Sequence, residues 1–294
     1  IVDEVHRIGS EQFSKTLLKA TTPNMLGISA TVDRKDGLTK VLYMFIGNKI
    51  YSEERTDDDP VCVRAIHFHS NDDEFNEVEV DYRGNTKYST MITKLCSHNP
   101  RTCFIIKILQ DLLKEDPDKQ IMVLCHNRSL LTEIYQYIKL WNNDDEIIGY
   151  YVGGMKQVDL DKTEKKRIVL ATYAMAAEAL DIKTLSTLVM VTPKTDITQS
   201  VGRILRIKHD KPIIVDLIDQ HDPFQKQWIQ RRRYYKKCNY KIIKNNNKKY
   251  TNMDTVDNID DWELVFDPKD KTTKMDQDKE TKSVRKCLVS FEDL

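Results

Sequence analysis

Short apolar runs alternate with amphipathic stretches along most of the chain. The apolar runs predict strands at residues 61–69, 120–126, 147–152, 167–172, 187–192 and 212–218. The amphipathic stretches predict helices at residues 99–115, 129–141, 173–179 and 197–207. Alternation of strand and helix is typical of an α/β fold with a mostly parallel sheet, in which ligands collect where strands end. We therefore expect the chemistry to lie in the loops that follow strands.

The pattern changes at both ends of this α/β region. Residues 1–2 and 25–31 are apolar and predict two strands of a separate buried sheet. The acidic, proline-containing stretch 53–60 interrupts the pattern and indicates a boundary between lobes. Beyond residue 250 the chain is acidic and polar, with Trp262 and Phe266 as isolated apolar positions, so residues 251–294 are expected to be a largely disordered tail.

The balanced total charge hides a basic central block. The chain has 46 basic and 46 acidic residues, but residues 86–250 contain 29 Lys and Arg against 18 Asp and Glu. Such a block suits a surface that binds a polyanion. The run from residue 231 to 250 mixes basic and aromatic side chains, which is suited to phosphate contact and base stacking but equally to a solvated helix that packs on the second lobe.

Six cysteines without a C-x-x-C pair predict neither a zinc module nor a disulfide framework. No stretch is apolar and long enough to span a bilayer, and we see no secretory signal. These features predict an intracellular protein that does not bind membranes, whether cytoplasmic, nuclear or in a viral replication or transcription compartment. The abrupt start at Ile1 predicts a fragment of a longer reading frame.

The tetrapeptide Asp3-Glu4-Val5-His6 follows the first apolar residues. Hydrolysis of a nucleoside triphosphate needs one carboxylate that holds Mg²⁺ and another that positions water, and Asp3 and Glu4 have these identities. A pair of acidic residues at a strand end is the simpler alternative. The tripeptide Ser29-Ala30-Thr31 stands at the end of the next apolar run.

The sequence Q-x-x-G-R-x-x-R at residues 199–206 is the most specific motif. On a helix, Gln199, Arg203 and Arg206 project from one face because their spacings are four and three residues. Two guanidiniums on that face can neutralise the charge that develops on a γ-phosphate. A solvated basic helix face is the alternative, but the Gln and Gly at fixed offsets argue against it.

These motifs together resemble superfamily 2 helicases. Residues 3–6 resemble motif II, residues 29–31 motif III, residues 123–128 motif IV, residues 171–182 motif V and residues 199–206 motif VI. The details are most similar to the XPB-like and phage UvsW-like branch, which includes helicases of large DNA viruses. The resemblance covers about residues 1–218 and implies tandem RecA-like lobes: a truncated first lobe at 1–58 and a complete second lobe at 59–250.

The resemblance implies a role for each matched residue. Asp3 would hold Mg²⁺, Glu4 would orient water, and Arg206 would be the arginine finger with Arg203 as its partner. His6 and Gln199 join the catalytic set, and Glu178 and Asp181 would lie near the ATP or the lobe interface. The nucleic-acid contacts would be Ser29, Thr31, Asn127, Arg128, Gly153 and Thr172. Asn127 and Arg128 could instead cap the next helix, and Gly153 could belong to an ordinary turn.

The function implied is an ATP-dependent helicase or translocase that acts on DNA duplexes, forks or junctions in preference to RNA. The G-x-x-x-x-G-K-[ST] loop of motif I has no match in the chain, so the chain alone is expected to hydrolyse ATP poorly. Two alternatives remain: a helicase-like module that binds nucleic acid without turnover, and the motor subunit of a restriction system. A degenerate motif I upstream would favour the former, and flanking nuclease sequence the latter.

Overall fold

The computed structural model describes residues 1–19, 22–29, 37–52, 61–142, 147–178, 182–198, 201, 209, 211–252 and 261–270, without the side chains of residues 11, 12, 177 and 178. The chain divides into two compact units, Ile1–Thr56 and Asp57–Leu294. Within the described ranges, no helix has the length and apolar character needed to cross a membrane.

The first unit is held together by a short parallel pairing. Val2 and Gly27 form a β-bridge, in which the amide of Val2 donates to the carbonyl of Leu26 at 2.7 Å and the amide of Ile28 donates to Val2 at 2.8 Å. A 3₁₀ helix at Val5–Arg7 follows, then helices α1 (Glu11–Leu17) and α2 (Thr39–Phe45).

The expectation of two buried strands in this unit is wrong for the described residues. The pairing is a single bridge, and Leu26 and Ile28 remain 42% and 51% exposed. No other strand is present among the described residues of this unit to cover their side chains.

The second unit contains one sheet, to which the described residues contribute eight strands in the order β3-β4-β2-β5-β6-β1-β7-β8. Every pair of neighbours is parallel except β7 and β8. The strands are β1 (Cys62–Phe68), β2 (Gln120–Cys125), β3 (Ile148–Tyr151), β4 (Ile168–Thr172), β5 (Leu185–Met190), β6 (Ile213–Asp219), β7 (Lys241–Asn246) and β8 (Glu263–Phe266).

The helices of this unit connect the strands. They are α3 (Asp73–Asn76), α4 (Tyr88–Ser97), α5 (Asn99–Glu115), α6 (Arg128–Trp141), α7 (Gln157–Thr163), α8 (Tyr173–Glu178), α9 (Asp222–Lys237) and α10 (Asn247–Thr251). Local sequence sets their starts: the Asn127 side chain accepts from the amide of Ser129 at 2.9 Å, and Pro100 occupies the first turn of α5, where its missing N–H costs nothing.

Apolar side chains cover both faces of the sheet. The core on one face includes Ile105 and Leu109 of α5 and Ile134 of α6, and the core on the other face includes Tyr235 of α9. Each fully buried Leu or Ile stabilises the fold by about 2 kcal/mol. The α/β architecture and the six strands predicted for this region are confirmed, with strand ends displaced by at most two residues. Most of the predicted helix at 197–207 lies outside the described residues.

The tail prediction is wrong for residues 261–270. Strand β8 pairs with β7, Phe266 is 1% exposed, and the indole of Trp262 packs on Tyr250 at 6.0 Å between ring centroids. These contacts bury two side chains that the sequence shows as isolated apolar positions. Strand β7, which the sequence analysis did not predict, pairs with the strand that carries Phe266, and Tyr250 of α10 is the partner of Trp262.

Candidate nucleic-acid interface and the motif II turn

The motif II residues form a compact hydrogen-bonded turn with motif III. The imidazole Nδ1 of His6 lies 2.8 Å from the hydroxyl of Ser29 and 3.2 Å from a carboxylate oxygen of Glu4. The amide of Glu4 donates to Oδ1 of Asp3 at 2.8 Å. The structure therefore brings together four residues that the sequence analysis selected from segments 23 positions apart.

Glu4 has a left-handed backbone, with φ 47° and ψ 45°. This conformation costs a non-glycine residue about 1–2 kcal/mol, and such residues cluster at functional sites. Gly27 permits the close approach of the motif III segment, since a Cβ there would lie 2.8 Å from Cγ2 of Val5. Packing against the 3₁₀ helix thus requires glycine in the segment that carries Ser29.

The described nucleic-acid candidates of the second unit lie at the carboxyl ends of its strands. Asn127 and Arg128 follow β2, Gly153 follows β3, and Thr172 ends β4. Thr172 is in register with Cys125 on the neighbouring strand. The guanidinium of Arg128 donates to the carbonyl oxygen of Gly153 through Nη2. Four predicted nucleic-acid contacts therefore lie at the carboxyl ends of three adjacent strands.

Asn127 also caps α6, as the structural alternative predicted. Its side-chain oxygen accepts from both the amide and the hydroxyl of Ser129 at 2.9 Å. Arg128 is exposed and forms the first turn of α6. Capping fixes the start of the helix and so fixes where Arg128 projects.

His126 is a further residue of this edge, present in the motif IV segment but not selected as a contact. Its amide donates to the Thr192 hydroxyl at 3.0 Å, and its Nδ1 lies 2.9 Å from the same oxygen. Desolvation and the nearby Lys194 ammonium lower the pKa of His126 to about 4. A neutral ring can accept a hydrogen bond from the Thr192 hydroxyl at Nδ1. Its single N–H is then at Nε2, which is free to act as a donor.

The loop after β5 holds this edge in place through its carbonyl groups. The carbonyls of residues 191–194 accept in turn from Arg101 at 2.7 Å, the Tyr173 hydroxyl at 2.6 Å, the Tyr88 hydroxyl at 2.9 Å and Arg231 at 2.9 Å. Arg101 is also paired with Asp219, and Arg231 with Asp216, inside the protein. The sequence analysis did not select Thr192 or Lys194. The one sequence feature that could have indicated them is their position directly after a strand.

Several selected residues lie outside the described part of the chain. These are Thr31, Asp181, Gln199, Arg203 and Arg206, and the side chain of Glu178. Their roles stay predictions. In the basic run 231–250, by contrast, the position of Arg231 is clear: it is 1% exposed and bonds to Asp216, so it does not contact a ligand phosphate.

Residues 105–208 match the family of the helicase conserved C-terminal domain. The chain contains the conserved C-terminal domain of superfamily 2 helicases. The matched residues of this helicase domain include β2, β3, β4 and β5, whose ends carry the interface.

Viral proteins are similar to the chain beyond this domain. The protein L396 of Acanthamoeba polyphaga mimivirus, named as a candidate ATP-dependent RNA helicase, is 37% identical over an alignment of 254 residues. The alignment covers 83% of this chain and 48% of the relative. QP509L of African swine fever virus, named in the same way, is 29% identical over 83% of this chain and 51% of its own length. The candidate helicase 161L of Invertebrate iridescent virus 6 is 26% identical, covering 82% and 57%. The chain spans about half the length of the curated relatives it matches.

A solved structure supports the fold. Dbp5 of S. cerevisiae, solved with RNA and ADP BeF3, superimposes with a TM-score of 0.55 over 85% of this chain and 59% of its own, at 10% identity. The sheet of the helicase domain is therefore a RecA-like α/β sheet.

Proposed function

We propose that the chain is part of an ATP-dependent nucleic-acid helicase or translocase. The carboxyl edge of its sheet would bind the phosphate backbone of one nucleic-acid strand. The observation that carries this proposal is the meeting of Arg128, Gly153 and Thr172 at the ends of adjacent strands. A guanidinium, a glycine backbone and a hydroxyl are groups that contact phosphate oxygens. His126 adds a neutral donor to the same edge.

The nucleotide chemistry is proposed for the motif II turn. Asp3 is exposed and offers a carboxylate oxygen, the ligand type that Mg²⁺ takes from proteins together with substrate phosphates. Magnesium would supply charge neutralisation at the phosphates. Glu4 would orient water, and its carboxylate is positioned by the left-handed turn and by His6. Arg203 and Arg206 would neutralise phosphate charge, a role that rests on the motif alone.

The polymer is proposed to be a single strand within duplex, forked or junction nucleic acid. The family resemblance favours DNA, whereas two of the viral relatives bear names of RNA helicases. Contacts with phosphates and backbone carry little information about the base or the sugar. Both polymers therefore belong in the test.

The experiment is the ATP hydrolysis of the full-length protein with single-stranded, forked and duplex DNA and with RNA. We expect stimulation by nucleic acid, and a loss of at least about 100-fold in Glu4→Gln and Arg206→Ala, consistent with removing transition-state contacts. The matched controls are Glu77→Gln and Arg83→Ala, exposed residues before α4, which should retain hydrolysis. Full hydrolysis in both site variants would show that the assigned residues are wrong.

A further inference from the structure

A cavity lies between α6 and the edge strand β3, beside the proposed phosphate contact. It has a volume of about 260 Å³ and is lined by Arg128, Leu131, Thr132, Tyr150 and Val152. Among the described residues, no strand pairs with the outer side of β3. Tyr150 and Val152 alternate with the inward-facing Tyr151, so both side chains face α6.

One wall of the cavity is a stiff aromatic surface. The ring of Tyr150 is stacked on Tyr135, with centroids 4.6 Å apart and planes inclined by 22°. The ammonium of Lys139 lies 5.2 Å from the Tyr135 centroid. Burial raises the pKa of Tyr150, so its phenol is neutral at physiological pH. A ring held by its neighbours presents an apolar wall with a lower entropy cost on binding than a mobile side chain.

The other lining residues are apolar on the buried side of the cavity and polar on its exposed side. Leu131 is buried at the floor and Val152 is partly buried, while Thr132 and Arg128 are exposed. Arg128 therefore belongs both to the cavity and to the row of phosphate contacts. A ligand that fits this arrangement has a flat, mostly apolar part next to an anionic group.

We infer that the cavity receives one nucleobase of the strand whose backbone phosphate contacts Arg128. This inference deepens the proposed nucleic-acid function and rests on it. Phosphate contacts alone bind any nucleic-acid backbone. A base inserted beside Tyr150 adds stacking and fixes which nucleotide of the strand lies at the cavity. The cavity is thus a register site on the helicase domain.

The test blocks the cavity without touching the core. Thr132→Trp places a large ring at an exposed lining position. Thr93→Trp is the matched control, because Thr132 and Thr93 are both exposed helical threonines whose hydroxyls bond to the carbonyl four residues earlier, at 3.0 and 3.1 Å. Binding of labelled single strands of about 12 nucleotides, DNA and RNA, is measured by fluorescence anisotropy, with one abasic site moved along the strand.

In the wild-type chain, an abasic site at one position should weaken binding about fivefold, the fold-change that corresponds to about 1 kcal/mol of lost stacking. Thr132→Trp should bind the intact strand about fivefold more weakly and lose the abasic effect, while Thr93→Trp should keep both. Binding by Thr132→Trp that is as tight and as position-dependent as the wild type would overturn the inference and leave the proposed function standing. No binding by the wild type would overturn both.

Discussion

The guanidinium of Arg128 donates to the carbonyl oxygen of Gly153, joining the residue that opens α6 to the loop after β3. Strand β4 lies between β2 and β3 in the sheet, so this bond spans the end of β4, where Thr172 stands. One side chain therefore joins two segments that are far apart in sequence, and a third segment, which ends in Thr172, lies between them. A nucleic-acid strand bound along this edge would contact Arg128, Thr172 and Gly153 in that order.

Removing the Arg128 guanidinium should weaken nucleic-acid binding without changing its sequence preference. Arg128→Ala is expected to lower affinity about fivefold, roughly 1 kcal/mol, the size of one hydrogen bond. It should also reduce the slope of log affinity against log salt by about 0.7, the value for one phosphate of a single strand. Titrations at several salt concentrations measure both quantities.

Lys114→Ala is the charge-matched control for this prediction. Lys114 is exposed near the end of α5, the helix that leads into β2, and so belongs to the opposite edge of the sheet. Its removal should leave the salt slope unchanged. Equal slopes for both variants would mean that the basic block acts by overall charge and not through this edge.

Sequence patterns are sufficient to predict the parallel sheet and the clustering of motif residues at its carboxyl edge. Strands such as Ile121–Cys125 are continuous apolar runs, and parallel strands place their ends together, so Asn127, Gly153 and Thr172 could be predicted as neighbours. The sequence analysis selected His6 and Ser29 in motifs II and III, but it did not predict the hydrogen bond between them.

Other features depend on contacts that no local pattern reveals. Strand β7 has only two apolar residues, Ile242 and Ile243, between lysines and asparagines, and it is a strand because β1 provides its hydrogen-bonding partner. The carbonyls of the loop after β5 are satisfied by side chains from four different helices. Arg231, within a run of basic residues, pairs with a carboxylate 15 positions earlier.

Adding a methyl group at Gly27 should destabilise the first unit. In Gly27→Ala the new Cβ would lie 2.8 Å from Cγ2 of Val5, and overpacking of this kind costs about 1–3 kcal/mol. Val5→Ala removes the obstructing atoms, so the double variant should be more stable than the sum of the single effects predicts. Hydrogen exchange at the amides of Val5 and Ile28 measures this. A strictly additive double variant would contradict the packing explanation.

Acidification should act on His126 at a lower pH than on an ordinary histidine. Because desolvation and Lys194 lower its folded-state pKa to about 4, below the usual value of about 6.5, protonation favours the unfolded state. The contribution of His126 to stability should therefore fall as the pH decreases from about 6.5 to about 4 and change no further below that. NMR titration of the ring gives the pKa directly.

Two variants check the origin of this shift. Lys194→Gln removes the neighbouring positive charge and should raise the pKa of His126, and His126→Gln should lose this part of the pH dependence of unfolding. A ring that titrates near 6.5 in the wild type would show that the contact with Thr192 does not hold it in a desolvated, neutral state.

Arg231 and Arg233 of α9 should differ sharply in their importance for stability. Arg231 is 1% exposed and donates to both oxygens of Asp216 at 2.7 and 2.9 Å, while its third nitrogen donates to the carbonyl of Lys194. Removing one partner of a buried pair leaves an uncompensated charge, so Arg231→Ala should cost about 3–5 kcal/mol in the free energy of unfolding. Arg233, two residues later, is exposed, and Arg233→Ala should change it by less than about 0.5 kcal/mol.

Urea denaturation of both variants tests this difference in stability. Measurements of nucleic-acid binding then show whether the two arginines also differ in their effect on binding. Arg231 holds the loop that carries Thr192, the partner of His126, so its loss should weaken binding even at temperatures where the variant is still folded. Arg233→Ala, if the basic run touches phosphate, should instead lower the salt slope at unchanged stability. Equal destabilisation by the two substitutions would contradict the buried position of Arg231. An unchanged salt slope in Arg233→Ala would show that this part of α9 does not belong to the nucleic-acid interface.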